Sequence, residues 1–305
     1  MSRPSSRGAA ARPHAKKRFG QHFLTDANLI RKILDLLEAD AADAFVEIGP
    51  GPATLTMPFS QRGFPLTVVE TDADMVTYLQ EQDFPHPVAI RHEDFLQTDV
   101  GALLQDRSTK VFSNLPYNVS VPITARLLFH YQQIPLMVFM YQKEVAERIR
   151  AKSGTRDYGP ISVTTQLLYA CDAHFNVPPG AFRPPPKVQS QVIRLRRLAE
   201  PRLGVADLEG LTLLLRFLFE RRRKMVSGLL RKSGDLADRI GRLLPRGKTD
   251  GPSVRPDTSD APLNGAASLL ESYLSLGFDP KLRPENLTPM DYAVWFRHIK
   301  ESYEP

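Results

Sequence analysis

Short apolar runs alternate with amphipathic stretches through the first two thirds of the chain. The runs that predict buried strands are residues 44–48, 66–70, 88–90, 110–113 and 136–140. Apolar residues at helical spacing lie between or before them, first over residues 26–37, where Asp26 is the predicted N-cap, and again over residues 121–131. Strands alternating with helices predict a mainly parallel sheet covered by helices on both faces, an α/β doubly wound fold of Rossmann-like type.

The pattern changes character toward the C-terminus. Residues 174–177 and 188–195 flank a proline-rich loop and predict an antiparallel pair of strands. Beyond residue 201 the chain reads as helical, with leucines at helical spacing between residues 207 and 218 and further helical patterns at 266–276 and 290–302. We therefore predict a disordered basic tail at 1–18, an α/β catalytic domain at 19–200 and a small helical domain at 201–305, with a polar loop at about 245–262.

Positive charge is concentrated in two places. The 305 residues carry 40 Lys and Arg against 34 Asp and Glu, a formal net charge of +6. Residues 1–18 hold Lys17, Arg18 and other cations without an acid, and a second cluster comprises Arg221, Arg222, Arg223 and Lys224. Clustered cations bind polyanions by neutralising phosphates, so these residues are predicted RNA contacts. The alternative for each cluster is a solvated surface or, for the tail, a solubilising segment.

Several classes of protein are disfavoured by the composition. The single cysteine excludes an internal disulfide and a cysteine-based metal site, and we expect no metal. No apolar run approaches the ~20 residues that span a bilayer, and the N-terminal tail lacks the apolar segment of a signal peptide. A mitochondrial targeting role for the tail is disfavoured by Pro4 and Pro13, which disrupt an amphipathic helix. The expected location is the cytoplasm.

The tetrapeptide Asn114-Leu115-Pro116-Tyr117 follows a predicted strand, at the sheet edge where ligands bind in open α/β folds. The Asn114 side-chain oxygen and the Leu115 carbonyl can accept two N–H bonds from a flat exocyclic amine. The Tyr117 ring can stack on a base. An ordinary proline-containing turn is the competing interpretation. Phe182, in a rigid proline-rich loop, is predicted as a second stacking wall, although a core-facing phenylalanine is its alternative.

Other polar or glycine residues end the neighbouring predicted strands. Gly49 and Gly51 follow the first strand, Glu70 ends the second and Asp94 follows the third. This set resembles a dinucleotide site, but the third glycine of that fingerprint is absent. S-adenosylmethionine needs less: glycines beneath its methionyl part, an acid for the ribose and a polar group at the adenine edge. An electrophilic methyl group beside a held adenine amine then predicts N6 methylation of a flipped or unpaired base.

These motifs together resemble the ribosomal RNA adenine N6-dimethyltransferases, and in particular the small-subunit branch. The resemblance spans residues 16–292 and lies in five segments: residues 17–24, 47–51, 114–120, 142–145 and 182–190. It implies that S-adenosylmethionine is surrounded by His22, Leu24, Gly49, Glu70, Asp94 and Asn114. It also implies dimethylation of two adjacent adenines near the 3′ end of 16S RNA, in the 30S subunit or its precursor, by an enzyme that we expect to be a monomer.

Three features depart from the family pattern. His22 stands where asparagine is frequent, so its cofactor contact depends on ring tautomer and pH. Glu93 replaces a frequent glycine before Asp94, and the polar loop at 245–262 is longer than expected. None of the three removes a group that the chemistry needs.

Three alternatives remain open at this point. The 23S RNA methyltransferases of macrolide resistance share the catalytic motifs, although the C-terminal segments 219–224 and 283–287 resemble the small-subunit branch. A ribosome-assembly factor that binds RNA without catalysis would use the same basic helical domain. A DNA adenine methyltransferase would share the pocket but usually needs a groove-reading element, whereas the sequence offers only one basic helix, which is suited to phosphate contact.

Overall fold

The computed structural model describes residues 21–104, 108–244 and 269–303. The predicted disordered tail at 1–18, including Lys17 and Arg18, and the predicted polar loop at 245–262 lie outside these ranges.

The strands follow the predicted apolar runs closely. In chain order they are β1 (Phe23–Leu24), β2 (Ala44–Ile48), β3 (Leu66–Glu70), β4 (Val88–His92), β5 (Thr109–Asn114), β6 (Leu136–Gln142), β7 (Tyr169–Val177), β8 (Phe182–Arg183) and β9 (Ser190–Arg197). Strands β2, β3 and β6 are nearly continuous apolar runs with few polar residues. This pattern is typical of parallel strands, which are buried on both faces of the sheet.

The helices alternate with the strands in the first half and then dominate. In chain order they are α1 (Ala27–Asp35), α2 (Thr56–Ser60), α3 (Ala73–Gln80), α4 (Val100–Leu104), α5 (Ser120–Leu128), α6 (Lys143–Arg150), α7 (Pro160–Leu168), α8 (Val205–Glu220), α9 (Val226–Leu230), α10 (Leu236–Leu243), α11 (Leu269–Ser275) and α12 (Pro289–Glu301).

Within the described residues, seven strands form one mixed sheet in the order β4-β3-β2-β5-β6-β9-β7. Strands β4, β3, β2, β5 and β6 run parallel, and β9 runs antiparallel to β6. The predicted fold class is confirmed. The chain builds outward in one direction from β2 to β4 and in the other from β5 to β6. The order therefore reverses between β2 and β5, which is where open α/β sheets leave a crevice for ligands.

Helix α1 begins as the sequence predicts. The Asp26 carboxylate accepts hydrogen bonds from the backbone N–H groups of Asn28 and Leu29 at 2.9 and 3.1 Å. It thereby satisfies two of the amides that a helix start leaves unpaired. Ile33 and Leu34 are buried on its inner face, so the apolar stripe anchors the helix to the core of the sheet.

The predicted antiparallel pair is more elaborate in the structure. Strands β7 and β9 are neighbours at the sheet edge, and β9 is inserted between β7 and β6. The intervening proline-rich loop forms β8, which pairs antiparallel with β1 and sets Leu24 opposite Phe182. This small second sheet connects the N-terminal segment to the proline-rich loop, a long-range pairing that no local pattern indicates.

The described chain divides into two compact units. The first contains the sheet and comprises residues up to 147 together with 170–197, and the second comprises 148–169 and residues from 198 onward. The segment 148–169 precedes the predicted boundary near residue 200, yet its helix α7 packs against α8 and α12 of the second unit. The predicted roles of the two domains stay predictions.

The second unit is helical, as expected. Helix α8 buries the leucines at its helical spacing, and α12 begins at Thr288, whose hydroxyl accepts a hydrogen bond from the Asp291 N–H at 3.1 Å. Its core includes fully buried Trp295, whose indole N–H donates to the Ser272 hydroxyl at 2.9 Å. No helix in the described ranges combines the length and apolar character that crossing a bilayer requires.

Candidate active site

A cleft of about 260 Å³ opens in the first unit, where β2, β3, β4 and β5 end. Most of the predicted site residues meet in it. Those that line the cleft are His22, Leu24, Gly49, Gly51, Glu70, Asp94, Asn114, Leu115, Pro116 and Tyr117. They come from parts of the chain more than 90 residues apart. The parallel sheet brings together those from Gly49 to Tyr117 because its strand ends share one edge, whereas His22 and Leu24 belong to the β1 segment, which pairs with β8.

The loop after β2 needs its glycines for conformational reasons. Gly49 and Gly51 have φ angles of +64° and +53°, a region that side chains other than glycine enter only at a cost. A Cβ on Gly51 would also lie 3.3 Å from the Phe23 ring. Ala53 has a φ of +61° as well, so this loop is held in a tight left-handed path beneath the cleft.

The Glu70 carboxylate organises the loop from the end of β3. One oxygen accepts the Gly51 N–H at 3.0 Å, and the other accepts the N–H groups of Thr71 and Asp72, both at 2.9 Å. Burial raises the pKa of Glu70, and these backbone donors act in the opposite direction. Among the residues that the structure describes, the first of these Glu70 oxygens accepts the Gly51 N–H alone, so it has a lone pair with which to accept a hydroxyl donor.

Glu47 is a second acidic residue of the cleft that the sequence reasoning did not assign to the site. It is 2% exposed and accepts the Thr56 hydroxyl at 2.7 Å. Burial raises the pKa of Glu47 to about 8, and the nearby charge of Glu70 acts in the same direction. A carboxyl group within an otherwise apolar strand was the available signal, because such groups are rarely buried without a role.

Asp94 lies after β4 and is exposed at the cleft. Its carboxylate accepts the Leu96 N–H at 3.0 Å and the Gln97 side-chain amide at 3.3 Å. These bonds hold the turn that follows β4, and Glu93 beside it also lines the cleft. An exposed carboxylate with remaining lone pairs suits an amino group at the edge of a base.

The amide of Asn114 is held in one orientation. Its Nδ2 donates to the backbone carbonyl of His22 at 2.9 Å, which leaves Oδ1 as the acceptor of this side chain. The following residue, Leu115, is fixed by a bond from its N–H to the Met140 carbonyl at 3.2 Å. Asn114 therefore has Oδ1 as its acceptor atom at the cleft, and the predicted pairing of this oxygen with the Leu115 carbonyl stays a prediction.

His22 and Tyr117 form a stacked ring pair at the cleft. Their ring centroids lie 5.6 Å apart, with an angle of 26° between the planes. Nδ1 of His22 lies 2.9 Å from the Pro184 carbonyl, which can only accept, so Nδ1 carries a proton. This contact determines the tautomer of His22, the residue that stands where the family often has asparagine. In the neutral ring Nε2 is therefore the acceptor.

Phe182 does not act as a wall of the cleft in this structure, which corrects the prediction. It is 0% exposed and belongs to the core cluster of the first unit. The pairing of β8 with β1 turns its ring inward beside Leu24. The alternative interpretation, a core-facing phenylalanine that anchors the proline-rich loop, fits the observation.

The basic cluster of the second unit is not uniform. Arg221, Arg223 and Lys224 are exposed, but Arg222 is partly buried and donates to the Glu285 carboxylate at 2.7 Å. Arg222 also donates to the carbonyls of Arg156 and Thr155 at 2.6 and 3.3 Å. The guanidinium of Arg222 is therefore hydrogen-bonded within the second unit, and its predicted contact with RNA stays a prediction.

The residues of the cleft fit S-adenosylmethionine. The tight glycine loop allows close backbone approach, Glu70 retains an acceptor for a ribose hydroxyl, and Asp94 is exposed for an adenine amino group. The cleft thus has the hydrogen-bond acceptors and the backbone shape that the cofactor needs. The role of each residue toward the cofactor stays a prediction.

Comparisons with known proteins place the chain in a family. The family model described as ribosomal RNA adenine dimethylase matches residues 12–239. A ribosomal RNA small subunit methyltransferase A from Aromatoleum aromaticum is 36% identical over 285 residues, which cover 93% of this chain and 94% of that protein.

Solved structures with the same fold include a dimethyladenosine transferase from Plasmodium falciparum, with a TM-score of 0.67 and 21% identity, over 90% of this chain and 96% of that one. The 23S rRNA methyltransferase ErmE has a TM-score of 0.58 and 21% identity, over 91% of this chain and 99% of that one. At these identities the two structures bear on the fold alone.

The predicted family, enzyme class and cofactor are confirmed. The chain belongs to the ribosomal RNA adenine dimethylase family, whose members are S-adenosylmethionine-dependent methyltransferases.

Proposed function

We propose that this enzyme dimethylates N6 of two adjacent adenosines near the 3′ end of 16S rRNA, in the 30S subunit or its precursor, and acts as a cytoplasmic monomer without a metal. The observation that carries the proposal is the fixed amide of Asn114. Its Nδ2 donates to the backbone carbonyl of His22, which leaves Oδ1 as an acceptor for an exocyclic amine. We assign the carbonyl of the next residue, Leu115, as the second acceptor.

Adenine N6 is a weak nucleophile because its lone pair is delocalised into the ring. Two N–H bonds from N6 to Asn114 and Leu115 shift that lone pair toward the incoming carbon and fix its direction. S-adenosylmethionine, when bound, supplies an electrophilic methyl group, and the electrons of the broken C–S bond stay on sulfur. N6 gives up one proton with each transfer. In this mechanism the cleft residues only accept hydrogen bonds and none acts as a general base, so the proton passes to solvent.

The small-subunit branch is favoured over the 23S branch by the sequence relatives. The Aromatoleum aromaticum protein carries the small-subunit name at 36% identity along nearly the whole chain. The 23S enzyme resembles this chain in fold at 21% identity. The binding-only alternative is disfavoured, because a chain that had abandoned catalysis would not need an oriented Asn114 amide and a Glu70 carboxylate at the same cleft.

The proposal is tested by incubating the enzyme and labelled S-adenosylmethionine with 30S and, separately, 50S particles that lack the modification. We expect label in 30S RNA alone, as N6,N6-dimethyladenosine in a fragment near its 3′ end, identified by nuclease digestion and mass spectrometry. Label confined to 50S RNA would instead support the macrolide-resistance type. Label in neither particle, with the RNA still bound, would support an assembly factor.

We also propose that Arg221, Arg223 and Lys224 contact RNA phosphates, since all three are exposed on the second unit. Replacing the three with alanine is expected to weaken binding to 30S particles and to flatten the slope of log Kd against log salt by about two units, because fewer counterions are released. Filter binding over a salt series measures the slope.

Two variants make this prediction specific. Removing three exposed cations that are scattered over the surface, Arg31, Arg239 and Lys281, makes the same change in net charge and should leave the slope nearly unaltered. Arg222→Ala should lower the melting temperature, because it leaves the partly buried Glu285 unpaired, and should change the slope little. Equal slopes for the triple variant and wild type would refute the contact surface.

A further inference from the structure

Tyr117 is held at two points, and one of them lies outside the cleft. Its hydroxyl oxygen is 2.6 Å from the hydroxyl oxygen of Ser190, and one ring face stacks on His22. Ser190 is 73 residues away in sequence and is not among the residues that line the cleft. Ser190 therefore hydrogen-bonds to the Tyr117 hydroxyl from outside the cleft.

Ser190 is held in place by the main sheet. It is the first residue of β9, its Cα pairs with that of Gln142 on β6, and it is 0% exposed. The neighbouring Gln189 carbonyl accepts the Lys143 N–H at 2.9 Å. The sheet thus fixes the position of the Ser190 hydroxyl, and through it the far end of the Tyr117 ring, although Tyr117 lies in the loop between β5 and α5.

The hydrogen bond joins Ser190 to a phenol that stays neutral. Burial raises the pKa of the Tyr117 phenol, while the bond to Ser190 acts in the opposite direction. The phenol consequently keeps its proton at neutral pH. A neutral ring with a fixed plane is what base stacking requires.

We propose that Ser190 is a positioning residue that sets the plane of Tyr117 as the stacking platform for the target adenine, and that it matters most for the second of the two methyl transfers to that base. The inference rests on the proposed function. It concerns a residue that makes no contact with cofactor or base and acts through the tyrosine alone.

The second transfer depends more on the tyrosine ring because N6 then has fewer hydrogens to donate. Unmethylated N6 has two hydrogens and can bond both to Asn114 Oδ1 and to the Leu115 carbonyl. After one transfer it has a single hydrogen, so one of the two acceptors loses its donor. The stacked ring then supplies a larger share of the orientation, and a loosened ring costs more at this step.

The test compares wild type with Ser190→Ala, Ser190→Thr, Tyr117→Phe and the Ser190→Ala/Tyr117→Phe double variant on unmethylated 30S particles. The readout is the ratio of N6-methyladenosine to N6,N6-dimethyladenosine in digested RNA, at equal total methyl incorporation. Wild type diluted to the same overall rate is the control, because a smaller folded fraction slows both transfers without changing this ratio.

We expect Ser190→Ala and Tyr117→Phe each to raise the ratio at least about three-fold, and the double variant to add little, because both singles remove the same bond. Ser190→Thr keeps a hydroxyl and should restore the ratio. Calorimetric affinity for S-adenosylmethionine should stay within about two-fold of wild type throughout, because neither hydroxyl is part of the proposed cofactor contacts.

An unchanged ratio in both single variants would overturn the inference while leaving the proposed function intact. Should Ser190→Ala fail to fold, Tyr117→Phe still removes the bond from the cleft side and decides the matter. If wild type itself makes no dimethyladenosine in 30S RNA, the proposed function fails and the inference fails with it.

Discussion

Replacing Asn114 with alanine is expected to lower kcat for methyl transfer at least about 100-fold, with the affinity for 30S particles nearly unchanged. The variant removes the acceptor that Asn114 presents after its Nδ2 is bound by the His22 carbonyl. The adenine amine then keeps one fixed partner instead of two. Single-turnover methylation of 30S particles measures the rate, and filter binding of the same particles measures the affinity.

A matched control and a second substitution sharpen this prediction. Asn28→Ala removes an asparagine side chain exposed on α1 and should retain the wild-type rate. Asn114→Asp keeps an oxygen but loses the N–H that bonds to the His22 carbonyl, so it should recover only part of the activity. Full activity in Asn114→Ala would show that another group holds the amine, and the proposed mechanism would then be wrong.

Glu70→Ala is expected to affect both stability and cofactor binding. It leaves the N–H groups of Gly51, Thr71 and Asp72 without their carboxylate acceptor, and two of these, at Gly51 and Asp72, are buried; the cost is about 3 kcal/mol in the free energy of unfolding. It also removes the proposed ribose acceptor, so affinity for S-adenosylmethionine should fall about 10- to 100-fold. Differential scanning calorimetry and isothermal titration calorimetry measure the two effects.

Two further variants separate these effects. Glu81→Ala removes an exposed carboxylate near the end of α3 and should change neither quantity, which controls for net charge. Glu70→Gln retains one oxygen acceptor for the backbone but turns an amide group toward the Gly51 N–H or toward the ligand. It should recover part of the stability while affinity stays low. Wild-type affinity in Glu70→Ala would remove Glu70 from the cofactor site.

The site residues that local pattern could identify share one property. Gly49, Glu70, Asp94 and Asn114 each lie where an apolar strand ends, and parallel strands end at a common edge. Knowing the strands was therefore enough to predict that these residues meet. Glu47 escaped because it lies within a strand, where alternation gives no sign of which face meets a cavity.

Two other residues show the opposite case. Phe182 and Arg222 were assigned by residue type and neighbourhood, as an aromatic ring in a rigid loop and a cation within a basic cluster. Their actual environments depend on partners far away in sequence. Pairing of β8 with β1 places Phe182 in the core, and the guanidinium of Arg222 donates to the Glu285 carboxylate and to the carbonyls of Thr155 and Arg156. Side-chain direction is set by such contacts, and residue type alone does not contain them.

By itself the sequence determined the α/β fold, the order of strands and helices, the Asp26 helix cap and the family, because each is encoded in local periodicity or in motifs of contiguous residues. Only the tertiary structure decided how Asn114, His22, Tyr117 and Ser190 are joined, since those contacts link residues 73, 92 and 95 positions apart. The orientation of an amide or a ring is a property of its partners in space. For this protein that orientation, rather than the presence of the residues, defines what the cleft can hold.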